Sequence, residues 1–191
     1  SSSSSSNWLT PDNKSEISFF KSNKEHTIVY LENGSVHSYD SNLELIKEFK
    51  TIQRAEAIDI STKSKQIALA NQSGGVEIFN FLTGEKIAEL KDSESNETIR
   101  NLVYNYLGTS ITTYGYNKLL HNKVYSHNNV IQIWDTQRMT IQKILKGDVN
   151  PIEAFTFNPA ENHLFSLRGQ QLDIWSLNSG ERLGTFELPE R

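Results

Sequence analysis

The sequence of 191 residues contains no cysteine, one methionine and four prolines. Without cysteine there is no disulfide framework, no thiolate zinc site and no cysteine nucleophile. No apolar run approaches the roughly 18 residues needed to cross a bilayer, so no membrane insertion is expected. Hydrophobic residues still make up 36% of the chain and aromatic residues 10%, which is enough for a buried core.

An excess of basic charge is also missing, because the formal net charge is −4. This balance argues against a dedicated nucleic-acid-binding domain, for which a strongly basic footprint is typical. One stretch differs: between Glu97 and Asp148 the only acid is Asp135, against six basic residues, Arg100, Lys118, Lys123, Arg138, Lys143 and Lys146. Alternate residues of a strand point to opposite faces, so these charges need not form one patch.

Residues 1–11 begin with six serines and predict a serine-rich linker or a disordered end. No positively charged start leads into an apolar stretch, so a secretion signal is not indicated. The cytoplasm or the nucleus is therefore the expected location. A start without methionine also suggests a piece of a longer chain.

An internal repeat dominates the rest of the sequence. A short alternating segment ending in an aromatic residue occurs four times, with its aromatic residues at Tyr39, Phe79, Trp134 and Trp175, which are 40, 55 and 41 positions apart. A second set of large apolar residues follows at spacings of 41, 55 and 41, namely Phe49, Leu90, Leu145 and Phe186. Two independent landmarks with the same step indicate a repeated structural unit.

Each unit shows strand-like runs separated by turn residues. The second unit is the clearest, with runs at 57–60, 66–70, 76–79 and 86–90 and a Gly74-Gly75 turn between its second and third runs. The third unit carries about 14 extra residues, 116–129, between its second and third runs. Four strands in each of four units predict an all-β chain.

This pattern resembles the WD40 family of β-propellers, whose repeats form four-stranded antiparallel blades. The signature dipeptide occurs once, as Trp134-Asp135, and the Gly-His pair that precedes the first strand in that family is missing. The buried Asp-His-Ser/Thr-Trp network of well-conserved members is therefore not expected, and packing should be mainly apolar. The resemblance implies four blades, at about 12–50, 51–91, 97–146 and 147–187. They are expected to belong to a larger, about seven-bladed propeller, and a closed four-bladed ring is the alternative.

Several residues could in principle bind a ligand or a metal, but most of them have a simpler structural explanation. The repeated aromatic residues and Asp135 are interpreted as structural, because one aromatic per blade is typical of packing between sheets. His121 and His127 have no cysteine or carboxylate between them and match no usual zinc spacing, so no metal or other cofactor is expected. The insertion is instead the first candidate for partner contact, since long loops on a rigid scaffold concentrate binding residues: Lys118, Leu119, Leu120, His121, Lys123, Tyr125 and His127.

The sequence contains no phosphate-binding glycine loop, no nucleophile elbow and no His-Glu-x-x-His motif, so an enzyme is not favoured. By its resemblance, the chain is expected to be a non-catalytic scaffold for protein–protein interactions in a multi-subunit intracellular complex. Two alternatives stay open: an RNA-contacting propeller subunit that uses the basic third blade, and an enzyme whose site is built on loops.

Overall fold

The computed structural model describes residues 15–51, 54–71, 73–91, 97–117, 129–146, 154–158, 162–176 and 181–189. These residues form sixteen strands: β1 (Ile17–Ser22), β2 (Thr27–Leu31), β3 (Ser35–Tyr39), β4 (Leu45–Lys50), β5 (Ala55–Ser61), β6 (Gln66–Asn71), β7 (Val76–Asn80), β8 (Lys86–Leu90), β9 (Glu97–Tyr104), β10 (Ser110–Asn117), β11 (Asn129–Asp135), β12 (Thr140–Lys146), β13 (Ala154–Asn158), β14 (His163–Arg168), β15 (Gln171–Ser176) and β16 (Arg182–Glu187). The predicted serine-rich end, residues 1–11, lies outside the described residues. Within the described ranges no helix is long and apolar enough to cross a membrane.

The strands form four separate sheets, each made of four consecutive antiparallel strands, β1–β4, β5–β8, β9–β12 and β13–β16. We number these sheets as blades 1 to 4. The fold prediction of an all-β chain with four-stranded blades is confirmed. A meander of this kind pairs only neighbouring strands, so every connection within a blade is short except the one that carries the insertion.

The third strand of every blade ends in the same way. Its pairing with the fourth strand shifts register immediately before the closing aromatic residue in all four blades, at Tyr39, Phe79, Trp134 and Trp175. The next residue then caps the turn in three blades: a side-chain oxygen of Asp40, Asn80 or Asp135 accepts hydrogen bonds from backbone N–H groups two to four residues ahead. Asp135 thus occupies a turn-forming position, for which Asn serves equally well.

The closing aromatic residues pack against the preceding blade. Phe79 is buried in one cluster with residues of blade 1, and Trp134 is buried in another with residues of blade 2. Trp175 is half-buried against Ile131 and Ile133 of blade 3. Tyr39 is also buried and clusters with Val29 and Leu31 on the face of blade 1 that points away from blade 2.

The two tryptophans that close third strands, Trp134 and Trp175, each make a hydrogen bond that was not predicted. The Trp134 indole N–H donates to Thr113 Oγ1 at 3.0 Å, and the Trp175 indole N–H donates to Ser166 Oγ at 2.9 Å. Each hydroxyl lies two residues along the second strand from the residue paired with the tryptophan. The Trp–Ser/Thr part of the polar network is therefore present in blades 3 and 4, although the Gly-His pair is missing.

The opposite face of each blade turns towards the following blade. Three equivalent positions lie on this face, two in the third strand and one in the fourth. In blades 2 and 3 all six side chains are at most 5% exposed: Val76, Ile78, Leu90, Ile131, Ile133 and Leu145. In blade 4, Leu172 and Ile174 are only partly buried and Phe186 is 57% exposed. Blade 4 thus presents an apolar face that no described residue of a following blade covers.

This contrast gives a matched pair of substitutions. We expect Leu145→Ala to lower the free energy of unfolding by about 3 kcal/mol, because it leaves a cavity between blades 3 and 4. Phe186→Ala, at the equivalent position of blade 4, should change it by less than about 0.5 kcal/mol, because the ring is largely exposed. Urea denaturation of both variants measures the difference. Equal losses would contradict the packing described for blade 4.

Candidate protein-interaction face

Three neighbouring blades present the turns between their first and second strands on one face of the molecule. These turns comprise residues 23–26 in blade 1, 62–65 in blade 2 and 105–109 in blade 3. Successive connections in a meander alternate between the two ends of the sheet, so the three turns share a side. We call this surface the turn face.

The turns of blades 1 and 2 are linked through Thr62. Its hydroxyl oxygen accepts a hydrogen bond from Asn23 Nδ2 at 2.9 Å and shares another with His26 Nδ1 at 3.0 Å. The Asn23 side-chain oxygen also accepts the backbone N–H groups of Glu25 and His26, which fixes the turn locally. The His26 ring packs on Phe81 with its centroid 4.5 Å away. These contacts hold the first two turns at a fixed separation.

The turns of blades 2 and 3 meet at Gly108. This residue has a φ of +73°, and a Cβ atom added there would overlap the hydroxyl groups of Ser61 and Ser64. The Gly108 carbonyl oxygen accepts a hydrogen bond from Thr136 Oγ1 at 2.7 Å. Glycine is needed at this position both for the left-handed backbone and for the close approach of the neighbouring turn.

Asp59 forms a second link between blades 2 and 3. Its Oδ2 accepts the backbone N–H of Tyr104 at 2.8 Å, and the Tyr104 hydroxyl donates to Gln66 Oε1 at 3.2 Å. Burial raises the pKa of Asp59, while the N–H groups of Tyr104 and Ile60 oppose this effect by hydrogen bonding the carboxylate. Burial and the nearby Asp59 charge also raise the pKa of Tyr104 well above its usual value. Tyr104 therefore stays protonated and acts as a hydrogen-bond donor.

An open cleft of about 740 Å³ lies between the three turns. Its floor includes Ile60 and Val103, and its rim includes Lys24, Lys63 and Tyr106. The Lys63 ammonium lies 5.5 Å from the centroid of the Tyr106 ring, within the range of a cation–π contact. The cleft thus combines an apolar base, a cationic rim and an accessible aromatic ring. Such a combination suits a peptide better than a small apolar molecule.

The structure does not describe the residues predicted for partner contact. Residues Lys118, Leu119, Leu120, His121, Lys123, Tyr125 and His127 lie outside the described residues. The predicted limits of the insertion are too wide, because Tyr116 and Asn117 belong to β10 and Asn129 belongs to β11, with Tyr116 paired to Asn129. The ends of these two strands point to the side opposite the turn face.

The basic stretch of the third blade is not gathered into one patch by the described residues. Arg100 lies on β9 and Lys143 on β12, which are the two edge strands of the same sheet. Three strand spacings separate them, or about 14 Å. Arg138 lies in the turn after β11. Lys118 and Lys123 lie outside the described residues, and RNA contact stays a prediction.

No site for a metal ion is found in the described part of the chain, where no three His, Cys, Asp or Glu residues are grouped suitably.

The turn face was not predicted, because it depends on contacts between turns about 40 residues apart. One signal was available in the sequence: Tyr106 and Leu107 are large apolar residues inside a turn, where small polar residues are usual.

Comparison with known proteins agrees with the fold. No family model matches the chain. A relative named as a BTB/POZ domain and WD-repeat protein, from Acanthamoeba polyphaga mimivirus, is 22% identical over 167 residues, which is 84% of this chain and 28% of the relative. A chain in the crystal structure of the Mitotic Checkpoint Complex superposes with a TM-score of 0.69 at 18% identity, over 93% of this chain and 52% of that one.

This chain therefore spans about half the length of the solved neighbour and under a third of the curated relative. The resemblance to WD40 β-propellers is confirmed at the level of the fold. The described blades correspond to part of a propeller.

The partly buried carboxyl of Asp59 predicts a pH dependence. A carboxyl whose pKa is raised on folding binds its proton more tightly in the folded state, so stability falls as pH rises above the unfolded value of about 3.9. Asp59→Asn keeps an oxygen for the Tyr104 N–H without the charge. We expect this variant to unfold at higher urea than the wild type at pH 7, with the difference shrinking towards pH 4.5. A variant that is less stable at pH 7 would show that the charged carboxylate is stabilising.

Gly108 offers a test of the packing between turns. Gly108→Ala should lower the free energy of unfolding by about 3 kcal/mol, because it combines backbone strain with overlap on Ser61 and Ser64. Gly169→Ala is the control, since Gly169 also has a positive φ but has open space around its Cβ position. Strain alone should cost about 1–2 kcal/mol there. Chemical denaturation that gives equal losses would contradict a close contact at Gly108.

Proposed function

We propose that this chain is a non-catalytic docking platform that holds partner proteins within an intracellular multi-protein assembly. A general role as a protein-interaction scaffold is supported by its WD-repeat relatives. The observation that carries the specific proposal is the turn face, where three turns are fixed to one another around an open cleft. A rigid surface of this kind binds at a low cost in conformational entropy.

The geometry also favours two docking sides. The turn face lies at one end of blade 3, and the strand ends that flank the insertion, Asn117 and Asn129, point to the other end. Partners bound at opposite ends would not compete for space. The neighbour from the Mitotic Checkpoint Complex belongs to a multi-protein structure, which supports the proposal of an assembly without identifying the assembly. We place this assembly in the cytoplasm or the nucleus.

An enzyme is the less favoured alternative for the cleft. Tyr104 is the buried titratable group in its lining, Asp59 lies directly beside it, and both are engaged in hydrogen bonds to neighbouring protein groups. Asp59 has the backbone of Tyr104 as its partner, and Tyr104 has Gln66. Groups held in this way serve to fix the turns. The features that remain accessible, lysines and an aromatic ring, are typical of recognition rather than of proton transfer.

Site-specific photo-crosslinking tests the proposed face. A benzoylphenylalanine placed at Tyr106 should form adducts with a small, reproducible set of proteins in cells that produce this protein. The control places the same group at Lys50, which is exposed and lies at the opposite end of blade 1. Adducts that are absent at position 106, or identical at the two positions, would contradict a specific docking role for the turn face.

The insertion has its own test. Replacing residues 118–128 with Asn-Gly should keep the hairpin, because Tyr116 and Asn129 are already paired and Asn-Gly favours a tight turn. Thermal unfolding should stay cooperative, while the amount of one partner protein recovered in a pull-down should decrease. Unchanged recovery of every partner would show that this segment does not contribute to docking.

A further inference from the structure

We propose that the cleft of the turn face binds an acidic, extended segment of a partner protein and that an apolar side chain of this segment packs on Tyr106. This inference rests on the proposed docking function and specifies its ligand. It arises from three properties of the cleft: local charge, an exposed aromatic ring and rigid walls.

The local charge has the opposite sign to that of the whole chain. Four lysines lie on or beside the three turns, against two carboxylates, those of Glu25 and Asp59; the lysines are Lys21, Lys24, Lys63 and Lys65. The complete chain has a net charge of −4. A local positive potential on an acidic protein attracts acidic segments to this cleft rather than to the remaining surface.

The aromatic ring is unusually accessible. Tyr106 is 61% exposed and the adjacent Leu107 is 59% exposed, although both belong to a tightly hydrogen-bonded turn. Neither side chain is needed to fill the core. A tyrosine on a fixed backbone gives a large contact area with little loss of side-chain freedom, which is why tyrosines are frequent among the residues that dominate binding.

Lys63 and Tyr106 define how such a segment would bind. The Lys63 ammonium is already near the ring, so a carboxylate that pairs with it places the neighbouring side chain of the segment beside the aromatic face. Lys24 lies across the cleft, on the turn of blade 1, and supplies a second cation. An acidic residue on each side of an apolar residue therefore matches the cleft.

The walls of the cleft are fixed before binding. Asn23 and Thr62 are hydrogen-bonded to each other across blades 1 and 2. Asn105 is bonded to Thr109 and to the backbone N–H of Ser110 within its own turn. Because these groups have partners, they need no reordering when a segment binds. Binding therefore loses little free energy to organising the turns.

RNA is a less suitable ligand. Recognition of single strands uses several stacking aromatics along a continuous basic groove. Tyr106 is the exposed aromatic residue that the cleft offers, and its lysines Lys24 and Lys63 lie on separate turns rather than along one groove. RNA binding is therefore an outcome that the experiment must distinguish.

Fluorescence anisotropy with the full chain tests this inference. The probe is a fluorescein-labelled peptide of sequence Glu-Asp-Leu-Phe-Asp-Glu, and its comparison has lysine in place of every acidic residue. We expect the acidic peptide to bind and to weaken with added salt, and Lys63→Glu and Tyr106→Ala each to reduce its affinity about tenfold. Lys63 and Tyr106 are both exposed, so the two variants should fold.

The matched control is Lys50→Glu, which makes the same charge change at the opposite end of blade 1 and should leave the affinity unchanged. An equal loss in this variant, or equal binding of the lysine peptide, would overturn the inference. If labelled oligouridine binds more tightly than the acidic peptide and is equally weakened by Lys63→Glu, the ligand of the cleft is RNA and the inference of a peptide ligand is wrong. If the acidic peptide fails to bind but position 106 still crosslinks to specific proteins, the ligand chemistry is wrong while the docking function stands.

Discussion

The structure depends on the packing of one blade against the next. Each sheet has apolar side chains on both faces, so a blade inside the row buries its core only between two neighbours. The closing aromatic residue of the third strand covers the blade before it, and the two other apolar positions of that strand face the blade after it. This packing places the three turns of the turn face side by side, and their cross-links then fix the cleft.

Buried polar side chains also help to fix the register of the strands within a blade. The middle of the third strand carries a polar side chain in every blade, and all four are at most 4% exposed: His37, Glu77, Gln132 and Asp173. Asp173 is the best satisfied, with Arg168 bound through two nitrogens and further bonds from Gln171 and Thr185. Burial alone would raise the pKa of Asp173, but these hydrogen bonds and the Arg168 charge outweigh it and lower the pKa. A buried carboxylate with this many partners tolerates little sliding of one strand past another.

Local patterns were sufficient to predict the blades but not the cleft. The turns at Gly34, Gly74 and Gly169 have the positive φ that their sequences indicate, and the repeated aromatic residues mark the ends of the third strands. The Trp–hydroxyl bonds could also have been predicted from the sequence. Thr113 and Ser166 stand at the hydroxyl positions beside Trp134 and Trp175. The equivalent positions beside Tyr39 and Phe79, which have no indole N–H, hold Val29 and Leu69. The cleft could not be predicted from the sequence, because it arises where Asn23, Thr62 and Gly108 of three different blades come together. Such contacts depend on the distance between blades, which no sequence spacing contains.

Two sets of accessible apolar side chains lie in different settings, and the setting indicates what each can bind. Phe186, Leu172 and Ile174 lie on a flat sheet face at positions that blades 2 and 3 bury, so the partner that fits them is another sheet. Tyr106 and Leu107 lie on a turn whose counterparts in blades 1 and 2, residues 23–26 and 62–65, are polar throughout. A turn surrounded by lysines suits a flexible segment instead. The two surfaces therefore differ in what they can bind: the blade 4 face offers apolar area that another sheet would bury, and the turn face offers positive charge and a single aromatic contact.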